Sequence, residues 1–270
     1  MMEIDSVRQF WEENPLFTGE FSGRDEDLFE EHDRVMYADV FNGVKMEEVF
    51  SLPQVNDRVL DLGCGIGFWC SLFSRDIGVE QITGVDISNN SLLLAEKRCP
   101  AVSFSQGNAE NLDLDDETFD FVNCQGVIHH TPNTGACLEE IFRVLKPGGR
   151  GSISVYYENL LVRVASRSLP IFRIVAKLLL RDTGRGRNFA KIRTKDDLTR
   201  YYDGADNPIG KSYSTKEFRY LLESSGFNNI EFTYYFFPSR FFRVPIPNFL
   251  AKCLISVFPF MIVANICKDK

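Results

Sequence analysis

The chain has 270 residues, 44% of them hydrophobic, with seven cysteines and a formal net charge of −8 at pH 7. That size and apolar content suit one domain with additions around a substantial core, and a pI near 5.1 argues against a dedicated nucleic-acid binder, whose footprint is basic. The odd cysteine set holds no C-x-x-C pair, so neither a disulfide framework nor a zinc site is expected, and the thiols read as the reduced, packed side chains of a cytoplasmic protein.

The first residues, Met-Met-Glu-Ile-Asp, have no basic n-region or apolar h-region, so no secretory signal is expected. Val7, Phe10 and Trp11 fall at helical spacing before Asn14-Pro15 breaks the helix. An acidic stretch follows, with Asp25, Glu26, Asp27, Glu30, Glu31 and Asp33 on a solvated face and His32 among them in a structural role. Val35, Met36, Val40 and Phe41 resume a helical pattern.

From residue 53 the chain alternates. Strands are predicted at Arg58–Asp61, Gln81–Asp86, Val102–Ser105, Phe119–Cys124 and Gly151–Tyr157. Helices are predicted at Phe68–Arg75, Ser88–Arg98 and Thr134–Leu145, the last leading through Pro147-Gly148-Gly149 into the fifth strand. Such alternation implies right-handed crossovers and a parallel sheet with ligands at its carboxyl edge. A helix at Thr215–Ser225 ends at Gly226, and apolar stretches at Asn229–Phe237 and Phe260–Lys268 close the chain. The longest apolar run, Leu254–Ala264, carries Ser256 and Pro259 and falls short of the roughly 20 residues a membrane span needs.

The chemistry concentrates at Val59-Leu60-Asp61-Leu62-Gly63-Cys64-Gly65-Ile66-Gly67. An apolar run ends in a carboxylate, three glycines alternate with other residues, and a helix begins. Glycine permits positive φ and close approach of a ligand, while the helix start offers unpaired N–H groups. A dinucleotide fingerprint would need Gly or Ala at position 68, where Phe68 stands. Asp86 lies 19 residues beyond Gly67, about where a doubly wound fold places the acceptor for ribose hydroxyls. Gln106-Gly107-Asn108-Ala109-Glu110, Phe119-Asp120-Phe121-Val122 and Arg143-Val144-Leu145-Lys146-Pro147-Gly148-Gly149 follow in order.

Together these motifs resemble the class I S-adenosylmethionine-dependent methyltransferases, in particular the small-molecule branch of the ubiquinone/menaquinone-biosynthesis type. The resemblance covers roughly residues 57–157 and resumes at 213–232. It implies a doubly wound α/β fold, Rossmann-like, with a mostly parallel seven-stranded sheet. The last two strands would form a hairpin, the final one antiparallel. Residues 1–52 would be an N-terminal helical lid, 53–157 and 213–270 the core, and 158–212 a cap insertion. The cofactor would be S-adenosyl-L-methionine, leaving S-adenosyl-L-homocysteine.

By resemblance, Gly63, Cys64, Gly65 and Gly67 would approach the methionine and ribose parts of the cofactor. Asp61 would orient that loop or the cofactor's ammonium group. Asp86 would accept from the ribose hydroxyls, Ile87 would pack on the adenine, and Asn108 and Ala109 would meet its edge. Asn108 stands where the family frequently has Asp. Gln125 would line the mouth where the methyl group points. His129 and His130, in Gly126-Val127-Ile128-His129-His130-Thr131-Pro132, are candidate general bases, since an imidazole titrates near working pH, or else hold their loop by hydrogen bonds. Trp11, Tyr37, Tyr201, Tyr202 and Tyr213 are candidate lid or acceptor contacts, with core packing as the competing role. Three scattered histidines make no metal site.

Two segments exceed the minimal fold. Between Leu160 and Lys195 lie ten Lys or Arg and one acid, Asp182. Arg163 and Arg167, then Arg173, Lys177 and Arg181, recur four apart among apolar residues, which describes cationic amphipathic helices joined near Pro170. In 238–259, Arg240, Arg243 and Lys252 accompany Phe241, Phe242, Val244, Ile246, Phe249, Leu250 and Leu254. Residues 160–195 and 238–259 are therefore either a substrate cap with a solvated basic face or a peripheral contact with membrane or lipid. The reading is methyl transfer to a small, hydrophobic acceptor such as a quinone, lipid-like molecule or secondary metabolite. An RNA-modifying methyltransferase and a non-catalytic cofactor-binding scaffold stand as alternatives.

Overall fold

A computed structural model describes residues 2–15, 25–41, 44–180, 192–200, 203, 207–239, 242–244 and 246–270. Its centre is a sheet whose strands alternate between two apolar faces. Strands β1 (Arg58–Leu62), β2 (Gln81–Asp86), β3 (Ser103–Gln106), β4 (Phe119–Gln125) and β5 (Leu145–Tyr157) run parallel, and β6 (Ser212–Tyr213) is a two-residue strand beside the end of β5. β7 (Asn229–Tyr235) and β8 (Met261–Cys267) complete the order β3-β2-β1-β4-β5-β8-β7. The last strand thus inserts between β5 and β7, antiparallel to both.

Period-two alternation assigns each strand residue to a face. Val59, Phe121 and Val263 join one apolar cluster with Phe41, Trp69 and Phe73. Leu60, Val122 and Ile262 join the other with Leu138, Ile141 and Phe218. Burial on both faces is why these strands read as near-continuous apolar runs. Successive strands are added to one side of β1 and then, from β4, to its other side, and the cavity lies at the carboxyl ends of these two parallel strands.

The flanking helices are α1 (Met2–Glu13), α2 (Asp25–Val35), α3 (Met46–Val49), α4 (Phe68–Leu72), α5 (Asn89–Arg98) and α6 (Thr134–Val144), followed by α7 (Leu160–Arg167), α8 (Leu169–Leu179), α9 (Lys195–Arg200), α10 (Thr215–Ser224) and α11 (Asn248–Val257). Side chains cap several starts: Ser88 accepts from Ser91 N, Asn133 from Ala136 N, and Ser214 closes a capping box with Glu217. The helix expected over 68–75 is α-helical only to Leu72 and continues as a π-helical turn, Phe73–Ile77, ended by Gly78 at φ 83°. The fifth strand begins at Leu145, six residues before the expected Gly151, so the Pro147-Gly148-Gly149 turn is an irregularity inside it. The two insertion helices part at Ser168, and Pro170 occupies the first turn of α8, where its missing N–H costs nothing.

Candidate functional site

The end of β1 turns through Gly63, Gly65 and Gly67, all with positive φ (73°, 52° and 80°). At Gly63 the requirement is double, since a Cβ there would lie 2.2 Å from Val127 Cγ2. At Gly65 a Cβ would meet nothing within 4 Å, so the backbone borders open space. The loop is fastened to β2: Gly63 N and Cys64 N donate to Val85 O (2.6 and 3.1 Å). Gly65 N donates to Asp86 Oδ2 at 2.8 Å, and Ser88 N to Asp86 Oδ1 at 2.9 Å. Each Asp86 oxygen retains acceptor capacity after these bonds. Burial pushes the Asp86 carboxyl above its ordinary range, against the backbone N–H groups of Ser88 and Gly65.

Asp61 stands one layer behind this loop. Asn123 Nδ2 donates to its Oδ1 (2.7 Å) and Cys70 Sγ to its Oδ2 (3.2 Å). Desolvation dominates and raises its pKa to about 6. Asp61 does not line the cavity in front of the loop; it braces β1 against β4 and α4.

That cavity, of about 210 Å³, is bordered at one end by Gly63, Cys64, Gly65, Asp86, Ile87, Asn108, Ala109 and Gln125. Asn108 Oδ1 accepts from Glu110 N (3.1 Å), a local turn that leaves its amide nitrogen toward other partners. Gln125 Nε2 donates to Asn123 Oδ1 (3.0 Å) and Ser152 O (2.9 Å). Gln125 Oε1 is buried with no partner among the described residues. Gly67 starts α4 as its left-handed N-cap, its would-be Cβ 3.3 Å from Ala95, and lies outside the lining.

The other end is apolar, with Val7, Met36, Val40, Phe41, Phe236 and Met261, but it carries a polar cluster. The short 3-10 turn Ile128–His130 follows β4 and buries both histidines. His130 Nδ1 lies 2.7 Å from Ile209 O, and its Nε2 3.0 Å from Asp203 Oδ2, an oxygen that also accepts from the Tyr156 hydroxyl. His129 packs between them, its ring centroid 4.1 Å from those of both His130 and Tyr156. Neither of its ring nitrogens has a partner among the described residues. Burial, then the neighbouring His130 and Lys211, hold its pKa well below the ordinary value, so the ring is neutral. Lys211 pins the turn, donating from Nζ to Thr131 O (2.8 Å) and Pro132 O (2.7 Å) and from its backbone N to His129 O (3.0 Å).

The structure separates the five aromatic candidates. Trp11 lines the cavity and meets His130 edge-on, centroids 5.2 Å apart. Tyr37 is 44% exposed and packs on Phe68 and Phe41 outside the lining. Tyr213 belongs to the opposite face of the sheet, where its hydroxyl meets Thr134 Oγ1 at 2.8 Å. Tyr201 and Tyr202 lie outside the described residues. Sequence reasoning missed Tyr156, Asp203 and His32 as cavity residues. His32 was legible: with Met36 and Val40 it forms an i, i+4, i+8 stripe, and all three line the cavity. Asp203 carried no local signal, because its partners Tyr156 and His130 are distant in sequence.

Residues 60–153 match the family described as "Methyltransferase domain". A demethylmenaquinone methyltransferase of Staphylococcus haemolyticus is 27% identical over 184 residues, covering 66% of this chain and 71% of that protein. A phthiotriol/phenolphthiotriol dimycocerosates methyltransferase of Mycobacterium tuberculosis is 38% identical over 94 residues, covering 34% of this chain and 35% of that relative. Among solved structures, phosphoethanolamine N-methyltransferase 2 of Haemonchus contortus, in complex with S-adenosyl-L-methionine, superposes with a TM-score of 0.60 at 17% identity, over 98% of this chain and 60% of that one.

Proposed function

We propose that this chain, whose core is an S-adenosylmethionine-dependent methyltransferase domain, transfers a methyl group to a small lipophilic acceptor of quinone or lipid type. The observation that carries the reading is one continuous cavity with two chemically different ends. The glycine loop and Asp86 form a polar end, and an apolar end holds two buried histidines. The named activities of the two relatives, on demethylmenaquinone and on phthiotriol dimycocerosates, support a lipophilic acceptor.

The residues present fit the cofactor. The open space in front of Gly65, the acceptor capacity left on Asp86 and the partnerless Gln125 Oε1 are what a ligand rich in hydroxyl and amino groups requires. We assign the ribose hydroxyls to Asp86, the adenine to Ile87, Asn108 and Ala109, and the methionine part to Gly63, Cys64, Gly65 and Gln125. When bound, the cofactor supplies a methyl group already activated on sulfur. The chain's task is then alignment: orientation alone contributes about 7–11 kcal/mol when geometry is near attack. Val7, Met36, Val40 and Phe236 would hold the acceptor and exclude water. His129, neutral and with unengaged nitrogens, would take the acceptor's proton, while His130, held by Ile209 O and Asp203, positions it.

Calorimetric titration with S-adenosyl-L-homocysteine, on the wild type and on Asp86→Ala, tests the reading. Micromolar binding that the substitution weakens about tenfold or more (about 1.4 kcal/mol) is expected. No binding to a folded wild type would leave a scaffold without this ligand, and the reading would fall.

A further inference from the structure

We propose that the two insertions join into a single apolar and basic face that docks on an anionic lipid surface. The structure brings them together. Leu180 and Phe242 form a β-bridge, Arg243 N donates to Leu179 O (2.8 Å), and Arg243 Nε donates to Leu180 O (2.9 Å). At the other end Asn159 caps α7 through Val162 N (3.0 Å) and donates to Pro259 O (2.8 Å), just beyond α11.

The face so formed is inverted relative to an ordinary surface helix, whose apolar stripe turns inward. In α8 the buried residue is Ala176, whereas Ile171, Ile174 and Leu178 are exposed, Leu178 at 70%. Among the described residues, eight of the large exposed apolar side chains lie within 160–179 and four within 244–257, while five are spread over the rest. Exposed apolar side chains concentrated in this way mark an interaction site.

Charge selects the occupant. Arg167, Lys177, Arg243 and Lys252 are exposed on the same segments, and neither 160–180 nor 242–259 contains an acidic residue, although the chain carries a net charge of −8. Cations interleaved with exposed aliphatic and aromatic side chains match an interfacial helix on anionic lipid. Among the described residues no helix is long and apolar enough to cross a membrane, so the face would lie on the surface.

The test is flotation with vesicles of mixed phosphatidylglycerol and phosphatidylcholine, and with phosphatidylcholine alone. Two variants of the full chain are compared with the wild type: Arg167→Glu/Lys177→Glu/Lys252→Glu, and Ile171→Ser/Ile174→Ser/Leu178→Ser. Wild type is expected to float with the anionic vesicles, less so at high salt, and each triple variant to lose about tenfold or more in partitioning. All these side chains are exposed, and unchanged affinity for S-adenosyl-L-homocysteine shows that each variant is folded. That control also separates this inference from the proposed methyl transfer, which can fail while flotation succeeds. Absent flotation of the wild type, or equal flotation of the charge-reversed variant, would overturn the proposal. So would a wild-type dimer in light scattering that the serine variant dissociates, since a second copy would then cover the face.

Discussion

At the scale of single residues, the site contrasts two buried groups whose protonation is displaced in opposite senses. Asp61 is raised to about 6 chiefly by desolvation. Its folded value therefore exceeds the unfolded one, and the stability it contributes is present in full below about pH 4 and lost as pH rises through 6. Asp61→Asn removes this dependence while preserving an oxygen and a polar group toward Asn123 and Cys70. Between pH 4 and pH 7 the stability of the Asn variant relative to wild type should improve by on the order of 2–3 kcal/mol; parallel urea midpoints at the two pH values would contradict it. His129 is displaced downward by burial, so as a base it is already deprotonated across the neutral range. His129→Ala should lower kcat by about 10²-fold or more while leaving cofactor affinity near wild type, and the wild-type rate should show no titration of this group between about pH 6.5 and 8. A variant with undiminished kcat would remove His129 from the chemistry. Both residues could be singled out in the sequence by position. Their roles could not, because solvent exclusion and the absence of partners are properties of the surroundings.

At the scale of elements, the turn after β1 ties sequence most closely to structure. Three glycines at alternate positions predict positive φ, and all three have it. What the sequence does not reveal is that they are unequal. Gly63 needs both its conformation and its missing Cβ, because Val127 fills the space. Gly65 needs only its conformation. A left-handed non-glycine residue costs about 1–2 kcal/mol, and overpacking typically adds about 1–3 kcal/mol. Gly63→Ala should therefore destabilise by about 2–5 kcal/mol, and Gly65→Ala by about 1–2 kcal/mol, in denaturant melts. Adding Val127→Ala to Gly63→Ala should recover the packing part alone. Equal costs for the two alanine variants would show that Val127 yields freely. The π-helical end of α4 and the early start of β5 escaped prediction because local propensity does not specify where a packed helix loses register or where a strand begins to pair.

At the scale of the whole molecule, α1 reaches across the cavity and is latched to α5. Asn90 Nδ2 donates to Glu12 O (2.9 Å) and Asn90 N to Glu12 Oε1 (3.3 Å), while Trp11 rests on His130. We infer that α1 gates release of the cofactor product. Asn90→Ala removes the side-chain bond without touching the cavity lining. Its release of S-adenosyl-L-homocysteine in stopped-flow should be about fivefold faster, the effect of losing one net hydrogen bond of about 1 kcal/mol. An unchanged rate would leave α1 as packing only.

The chain by itself determined the α/β class, the parallel sheet and the glycine loop and carboxylate at the polar end of the cavity. These rest on short-range features: alternation of apolar runs, glycines where a turn needs positive φ, and a carboxylate at a strand end. The antiparallel return of β8 entered through resemblance and was realised by pairing with both β5 and β7. Only the tertiary structure decided that Tyr37 and Tyr213 lie outside the cavity while His32, Tyr156 and Asp203 line it, and that two separate insertions meet at the Leu180–Phe242 bridge. The reason is physical. Periodicity reports which side of its own element a residue occupies, whereas a site is made by elements far apart in sequence, whose meeting is set by packing across the sheet edge.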